Sequence, residues 1–79
     1  MKLSKAVSSR IRELLLKKGM TQYKLEQKAG ITHNTLLCIM SSRYESCNLK
    51  TLMKIINALE ISASEFFDSE YFSDYRFDD

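Results

Sequence analysis

The chain has 79 residues, enough for one small domain, and its 44% apolar content is typical of a globular protein and too high for a disordered one. No apolar run reaches the length of a membrane span, and the amino terminus lacks the apolar core of a secretion signal, so we expect a cytoplasmic protein. Residues 1–50 carry ten Lys and Arg against three acids, whereas residues 51–79 carry two against seven. This division of charge favours a protein that turns one side towards a polyanion. The alternative is that the asymmetry arose by chance on a solvated surface.

The first predicted helix covers residues 4–18. Apolar residues fall at helical spacing along it, and Ser4 is a candidate N-cap. Gly19 follows as a candidate left-handed C-terminal residue, and the two lysines before it suit the negative end of the helix dipole.

Four further helix starts share one spacing, in which an apolar residue precedes a capping residue and a second apolar residue lies five places after the first. The caps with their apolar pairs are Thr21 with Met20 and Leu25, Thr32 with Ile31 and Leu36, Asn48 with Cys47 and Leu52, and Ser62 with Ile61 and Phe66. This is the hydrophobic staple around an N-cap, and Glu65 adds a capping box to the fourth. The predicted helices are 22–29, 33–41, 49–59 and 63–69.

Only residues 30–32, beginning with Gly30, separate the second and third predicted helices. So short a link fits the sharp crossing of a helix-turn-helix unit. No stretch of residues 1–68 has the character of a strand, so the sequence predicts an all-α fold, a compact five-helix bundle with a central helix-turn-helix. The expected core residues are Val7, Ile11, Leu14, Leu15, Leu25, Ala29, Ile31, Leu36, Ile39, Leu52, Ile55, Ile56, Leu59, Ile61 and Phe66.

The third predicted helix has an uncharged polar start. If Leu36 and Ile39 face inward, helical geometry turns the residues at 33, 34, 37, 38 and 41 away from the core. Short hydrogen-bonding groups without long charged side chains suit a helix that enters the major groove of DNA and reads base edges. The predicted base-contacting residues are His33, Asn34, Thr35, Leu37 and Cys38.

Each of these residues has a specific role and a simpler alternative. Asn34 can pair bidentately with adenine, and His33 can donate to guanine N7 or O6 or to a phosphate. Thr35 and Leu37 can contact a thymine methyl group, and Cys38 can make an apolar or weak polar contact. Otherwise, His33 and Asn34 are solvated residues of a helix start, Leu37 packs against the fold or a partner, and Cys38 is a small buried hydrophobe.

Phosphate contacts are expected at the amino termini of the second and fourth predicted helices, where free N–H groups favour anions, and just after the third. The residues concerned are Thr21, Gln22, Tyr23, Ser41, Arg43, Asn48 and Lys50.

Over roughly residues 9–68, the sequence resembles the Cro/repressor-type helix-turn-helix proteins, also called the xenobiotic-response-element family. The matching residues are Thr21-Gln22, Leu25, Ala29-Gly30-Ile31-Thr32, Leu36, Ile39, Leu49, Thr51-Leu52, Ile55 and the segment from Ala58-Leu59 to Phe66-Phe67. The resemblance implies a lambda-repressor-like bundle and a transcriptional repressor or activator, often dimeric on a two-fold operator. It also implies base contacts by the five residues named above and backbone contacts by Gln22, Ser41 and Arg43.

Two positions depart from the family's pattern. Glu26 stands where the family has alanine, a residue small enough for close helix approach, so we expect its carboxylate to turn outward along its stem. Met40-Ser41-Ser42 replaces an acid-X-glycine ending, so we expect the third helix to run on or to end irregularly.

Residues 69–79 combine acidic and aromatic residues, which separates an acidic aromatic tail from a helix-turn-helix DNA-binding domain at residues 1–68. The tail is a candidate dimerisation segment that can pair as a strand with a second copy; alternatively, its aromatics cover the core, or it is disordered. Cys38 and Cys47 can form a disulfide, although a cytoplasmic setting favours two reduced thiols.

The sequence thus favours a sequence-specific DNA-binding transcriptional regulator, in particular a repressor, that reads the major groove with the helix starting at Thr32. Its expected partners are double-stranded DNA and a second copy in a homodimer, because one helix reads too few base pairs to stand out in a genome.

One histidine, no nucleophile motif, no metal-ligand spacing and no glycine-rich loop argue against an enzyme. We expect no catalytic residue, metal, cofactor, membrane contact or small-molecule effector. The alternative is a protein-interaction module on the same fold, an antitoxin or phage regulatory partner, with Leu37, Cys38 and Met40 as an apolar patch.

Overall fold

A computed structural model of the chain describes residues 2–42 and 48–73. Within these residues the chain forms α-helices and one 3₁₀ turn, with no strand, which confirms the all-α fold. The helices are α1 (Leu3–Lys18), α2 (Gln22–Ala29), α3 (His33–Met40), α4 (Leu49–Ala58) and α5 (Ala63–Phe67), and the 3₁₀ turn is Glu70–Phe72. No helix in the described ranges is long and apolar enough to cross a membrane.

The four repeated capping residues begin α2 to α5 as the sequence predicts. In each case a backbone N–H donates to the side-chain oxygen of the cap, which satisfies a donor that the first helical turn leaves free. The donors and acceptors are Lys24 and Thr21 (3.1 Å), Thr35 and Thr32 (3.1 Å), Lys50 and Asn48 (2.8 Å), and Glu65 and Ser62 (3.0 Å).

The cap predicted for α1 is wrong. The N-cap position is Lys2, which makes no side-chain cap, and Ser4 lies inside the helix. Ser4 is only 8% exposed, and its hydroxyl has no hydrogen-bond partner among the described residues. It lies on the side of α1 that faces the bundle, where its small size permits close packing.

The link between α2 and α3 depends on the left-handed conformation of Gly30. Its φ angle is 68°, a region that side chains with a Cβ disfavour. The N–H groups of Gly30 and Ile31 both donate to the Glu26 carbonyl, at 2.9 and 3.2 Å, which closes the end of α2. Ile31 and Thr32 complete the turn, and Thr32 then caps α3.

The core agrees with the prediction for most residues. Eleven of the expected residues are buried, whereas Ala29, Ile31, Ile39 and Ile61 are half-buried and pack against the core from its edge. The buried apolar residues that the helical pattern did not identify as core are Ala6, Cys38, Met40 and Ala58.

Arg10 is a buried cation that joins α1 to the end of α5. It is 6% exposed, and its guanidinium donates to the carbonyls of Phe66 (2.8 Å) and Glu65 (2.8 Å). A second branch meets the Glu13 carboxylate at 2.6 Å. These carbonyls belong to the last turn of a helix, where the peptide dipoles favour a positive charge.

Part of the predicted tail packs against the bundle. The Phe72 ring is half-buried against the core and lies 4.9 Å from the ring of Phe67 and 5.9 Å from that of Phe66, centre to centre. The aromatic cover is therefore present at Phe72. The strand-like alternation of residues 73–78 falls mostly outside the described residues, as does Cys47, whereas Cys38 is a free, buried cysteine.

Replacement of Arg10 by Met should lower the free energy of unfolding by about 2 kcal/mol, because two carbonyls at the end of α5 lose a charged donor. Urea unfolding followed by circular dichroism measures the change. Lys5→Met is the matched control, since Lys5 is exposed on the same helix and should shift stability by less than about 0.5 kcal/mol. Equal effects of the two substitutions would contradict a structural role for the buried guanidinium.

Candidate nucleic-acid interface

The first turn of α3 presents polar groups to solvent. Thr32 Oγ1 accepts the Thr35 N–H and also lies 2.8 Å from the Thr35 hydroxyl. The side chain of His33 is 74% exposed, Asn34 is exposed and Thr35 is half-buried. Leu37, one turn further on, is 42% exposed. Four of the five predicted base-contacting residues are therefore accessible at the surface.

The structure contradicts the predicted orientation of Cys38. Its side chain is 6% exposed and not turned to solvent, and Met40 is 3% exposed. The prediction placed only Leu36 and Ile39 on the inward side of α3. Because α1 also packs against this helix, a larger part of its circumference is buried than the single stripe of these two residues. Cys38 offers little accessible surface to a base, and the simpler alternative of a small buried hydrophobe describes it.

Residues of α1 hold the carboxyl end of α3. Arg12 Nη2 donates to the Met40 carbonyl at 2.6 Å, and the Ser42 and Ser8 hydroxyls lie 2.9 Å apart. The Ser8 hydroxyl also lies 3.1 Å from the Lys5 carbonyl oxygen, and either serine hydroxyl can be the donor in the pair. Ser42 has a φ angle of 56°, so a serine occupies the left-handed position expected to require glycine. The helix thus ends at Met40 and does not run on.

Glu26 holds the amino end of α3. Contrary to expectation, its carboxylate is not exposed: the side chain is 9% exposed, and Oε2 lies 2.8 Å from His33 Nδ1. A carboxylate beside the first residue of a helix is also favoured by the helix dipole. A side chain larger than the family's alanine is therefore accommodated by bonding to α3 itself.

The amino end of α2 is an exposed surface beside a cation. Thr21, Gln22 and Tyr23 are exposed, and helix geometry leaves the N–H groups of Gln22 and Tyr23 without intrahelical acceptors. Arg12 lines the same shallow depression as Thr21 and Gln22. The sequence analysis did not place Arg12 beside the start of α2, because its position one turn before Leu16 on α1 gives no sign of a neighbour on α2.

The remaining predicted phosphate contacts are less uniform. Asn48 and Lys50 are exposed at the start of α4, where the Asn48 side-chain oxygen accepts two backbone N–H groups of its own helix. Ser41 is exposed, and its hydroxyl donates to the Cys38 carbonyl at 3.2 Å. Arg43 lies outside the described residues. Among the described residues, no group of three or more His, Cys, Asp or Glu is arranged to hold a metal.

The fold and the capped, exposed helix are those of a helix-turn-helix domain, and sequence comparison agrees. Residues 10–70 match the family model of the Cro/C1-type helix-turn-helix DNA-binding domain, so the chain belongs to this family.

A solved structure is similar to this chain over most of its length. It is the wild-type restriction-modification controller protein C.Esp1396I, which is 31% identical and superposes with a TM-score of 0.77 over 85% of this chain and 87% of that one. No curated protein sequence matches the chain.

Thr32→Ala should lower the free energy of unfolding by about 1 kcal/mol, because the Thr35 N–H loses its acceptor at the start of α3. Thermal or urea unfolding gives the value. Thr32→Ser keeps the hydroxyl and should stay near the wild type. If serine destabilises the protein as much as alanine does, then the threonine methyl group, and not the cap, is what stabilises this end of the helix.

Proposed function

We propose that this protein is a sequence-specific DNA-binding transcriptional regulator, acting as a repressor, that inserts α3 into the major groove. The observation that carries this proposal is the exposed pair His33 and Asn34 on the first turn of a helix capped by Thr32. The major groove admits an α-helix, and short amide and imidazole groups at its amino end come within hydrogen-bond distance of base edges.

The same arrangement supplies candidate phosphate contacts. The N–H groups of Gln22 and Tyr23 at the start of α2 can bind one phosphate, and Arg12 lines the same depression as Gln22. The start of α4 offers a second site with Lys50. Contacts of this kind fix the orientation of a protein on the duplex and supply most of its salt-dependent affinity.

A homodimer and repression complete the proposal. A single recognition helix reads too few base pairs to distinguish an operator among genomic sites, and two copies double the length of DNA that is read. A dimer bound over a promoter represses by occupying it. The similar solved protein carries the description of a restriction-modification controller, which supports a regulatory role for this chain.

The alternative of a protein-interaction module has less support in the described residues. Its apolar patch consists of Leu37, Cys38 and Met40, of which Cys38 and Met40 are buried. Leu37 alone, at 42% exposure, is too small a surface for a stable protein partner, whereas it suits contact with a thymine methyl group.

Selection from random duplexes should enrich one two-fold-related sequence. On that duplex, Asn34→Ala should weaken binding about tenfold or more, because a bidentate amide contact to adenine is lost. The measurement is a fluorescence-anisotropy titration. Asn57→Ala makes the same change at an exposed position of α4, far along the chain from α3, and should leave affinity unchanged.

Affinity should also fall as salt rises. If about four phosphates are contacted per subunit, the slope of log affinity against log salt is about −3.6 per subunit. Titrations between low and moderate salt give the slope, and sedimentation of the complex should show two copies per duplex. A flat salt dependence, or failure to shift any genomic fragment at low salt while a lysate protein is captured, would replace DNA binding with the interaction module.

A further inference from the structure

The contact between Glu26 and His33 joins a buried carboxylate to an exposed imidazole ring. The Glu26 side chain on α2 is 9% exposed, whereas the His33 side chain at the first position of α3 is 74% exposed. The atoms that meet are Glu26 Oε2 and His33 Nδ1, at 2.8 Å. A carboxylate withdrawn from water is stabilised by a hydrogen-bond donor, so this contact restrains the orientation of the imidazole ring.

The contact also determines which ring nitrogen carries the proton. An ionised carboxylate has no hydrogen to donate and can only accept, so Nδ1 is the donor. A neutral imidazole has a single N–H, and its tautomer is set by the partner of one nitrogen. With the hydrogen on Nδ1, the neutral His33 ring presents Nε2 as a hydrogen-bond acceptor.

We propose that Glu26 is a positioning residue for base readout, which rests on the proposed function of DNA binding by α3. By keeping the hydrogen on Nδ1, Glu26 directs the neutral His33 ring to accept a hydrogen bond. The matching groups in the major groove are the amino donors at adenine N6 and cytosine N4. This pairing differs from the guanine contact expected from sequence, since guanine N7 and O6 are both acceptors and would need a donor from His33.

The tautomer can be measured on the free protein. The chain contains one histidine, so a long-range ¹H–¹⁵N spectrum reports on His33 alone. In the pH range where the spectrum shows a neutral ring, the wild type should carry its hydrogen on Nδ1. Glu26→Gln has nearly the same shape, but its amide can donate to Nδ1, so the Nδ1–H form should no longer dominate.

The base preference is measured by duplex selection in the same pH range. The position that His33 reads is the one at which the His33→Ala variant no longer prefers any base. At that position the wild type should prefer adenine or cytosine. At that base, Glu26→Gln should reduce the preference about threefold or more, as expected for the loss of one hydrogen bond, and should leave the other positions unchanged. Glu65→Gln is the matched control, because Glu65 is exposed on α5.

Glu26→Met provides a second variant of similar length whose sulfur is only a weak acceptor for the Nδ1 hydrogen. Circular dichroism confirms folding of each variant. The proposal is overturned if the wild-type ring carries its hydrogen on Nε2 or stays doubly protonated wherever the protein is folded. A preference for guanine at the position dependent on His33, or unchanged readout in both variants, also overturns it. If the wild type enriches no sequence, the proposed function fails as well, whereas specific binding without an effect of Glu26 removes this inference alone.

Discussion

Helix α3 is held at its two ends by polar side chains that belong to other helices. Glu26 of α2 bonds to His33 at the amino end, and Arg12 of α1 donates to the Met40 carbonyl at the other, where Ser8 also meets Ser42. Between these ends, Leu36 is completely buried in the core. The exposed edge of the helix therefore has a defined direction, which base readout requires, because hydrogen bonds to base edges depend strongly on geometry.

A domain of this size buries a limited core, so polar contacts at helix ends contribute a substantial share of its organisation. Helix α1 provides two such contacts through arginines: Arg10 serves the carboxyl end of α5, and Arg12 serves that of α3. Neither α3 nor α5 has a basic residue in its own last turn. The charge that suits their dipoles comes instead from the middle of α1, which links the carboxyl ends of these two helices.

The features that the sequence predicted well are local in the chain. Thr21, Thr32, Asn48 and Ser62 act within three residues of themselves, and Gly30 acts through its own φ angle, so a short window contains the cause of each. The features that it missed depend on distant residues. Cys38 is buried although a single inward stripe places it outside, and the two carbonyls of α5 that accept from Arg10 lie more than fifty positions away. Arg10 did carry a signal, since it lies four residues from both Ala6 and Leu14 on the inward side of α1, where an arginine needs a buried acceptor.

The serine pair at the end of α3 has an evolutionary consequence. Because Ser42 adopts its left-handed conformation while hydrogen-bonded to Ser8 of α1, the direction of the exposed edge of α3 depends in part on a helix placed earlier in the chain. Transplanting residues 33–40 alone into a relative would transfer the side chains of α3 without the contacts that set the orientation of the helix. Substitutions at Ser8 or Arg12 can therefore change the direction in which α3 presents its exposed edge, before any residue of α3 itself has changed.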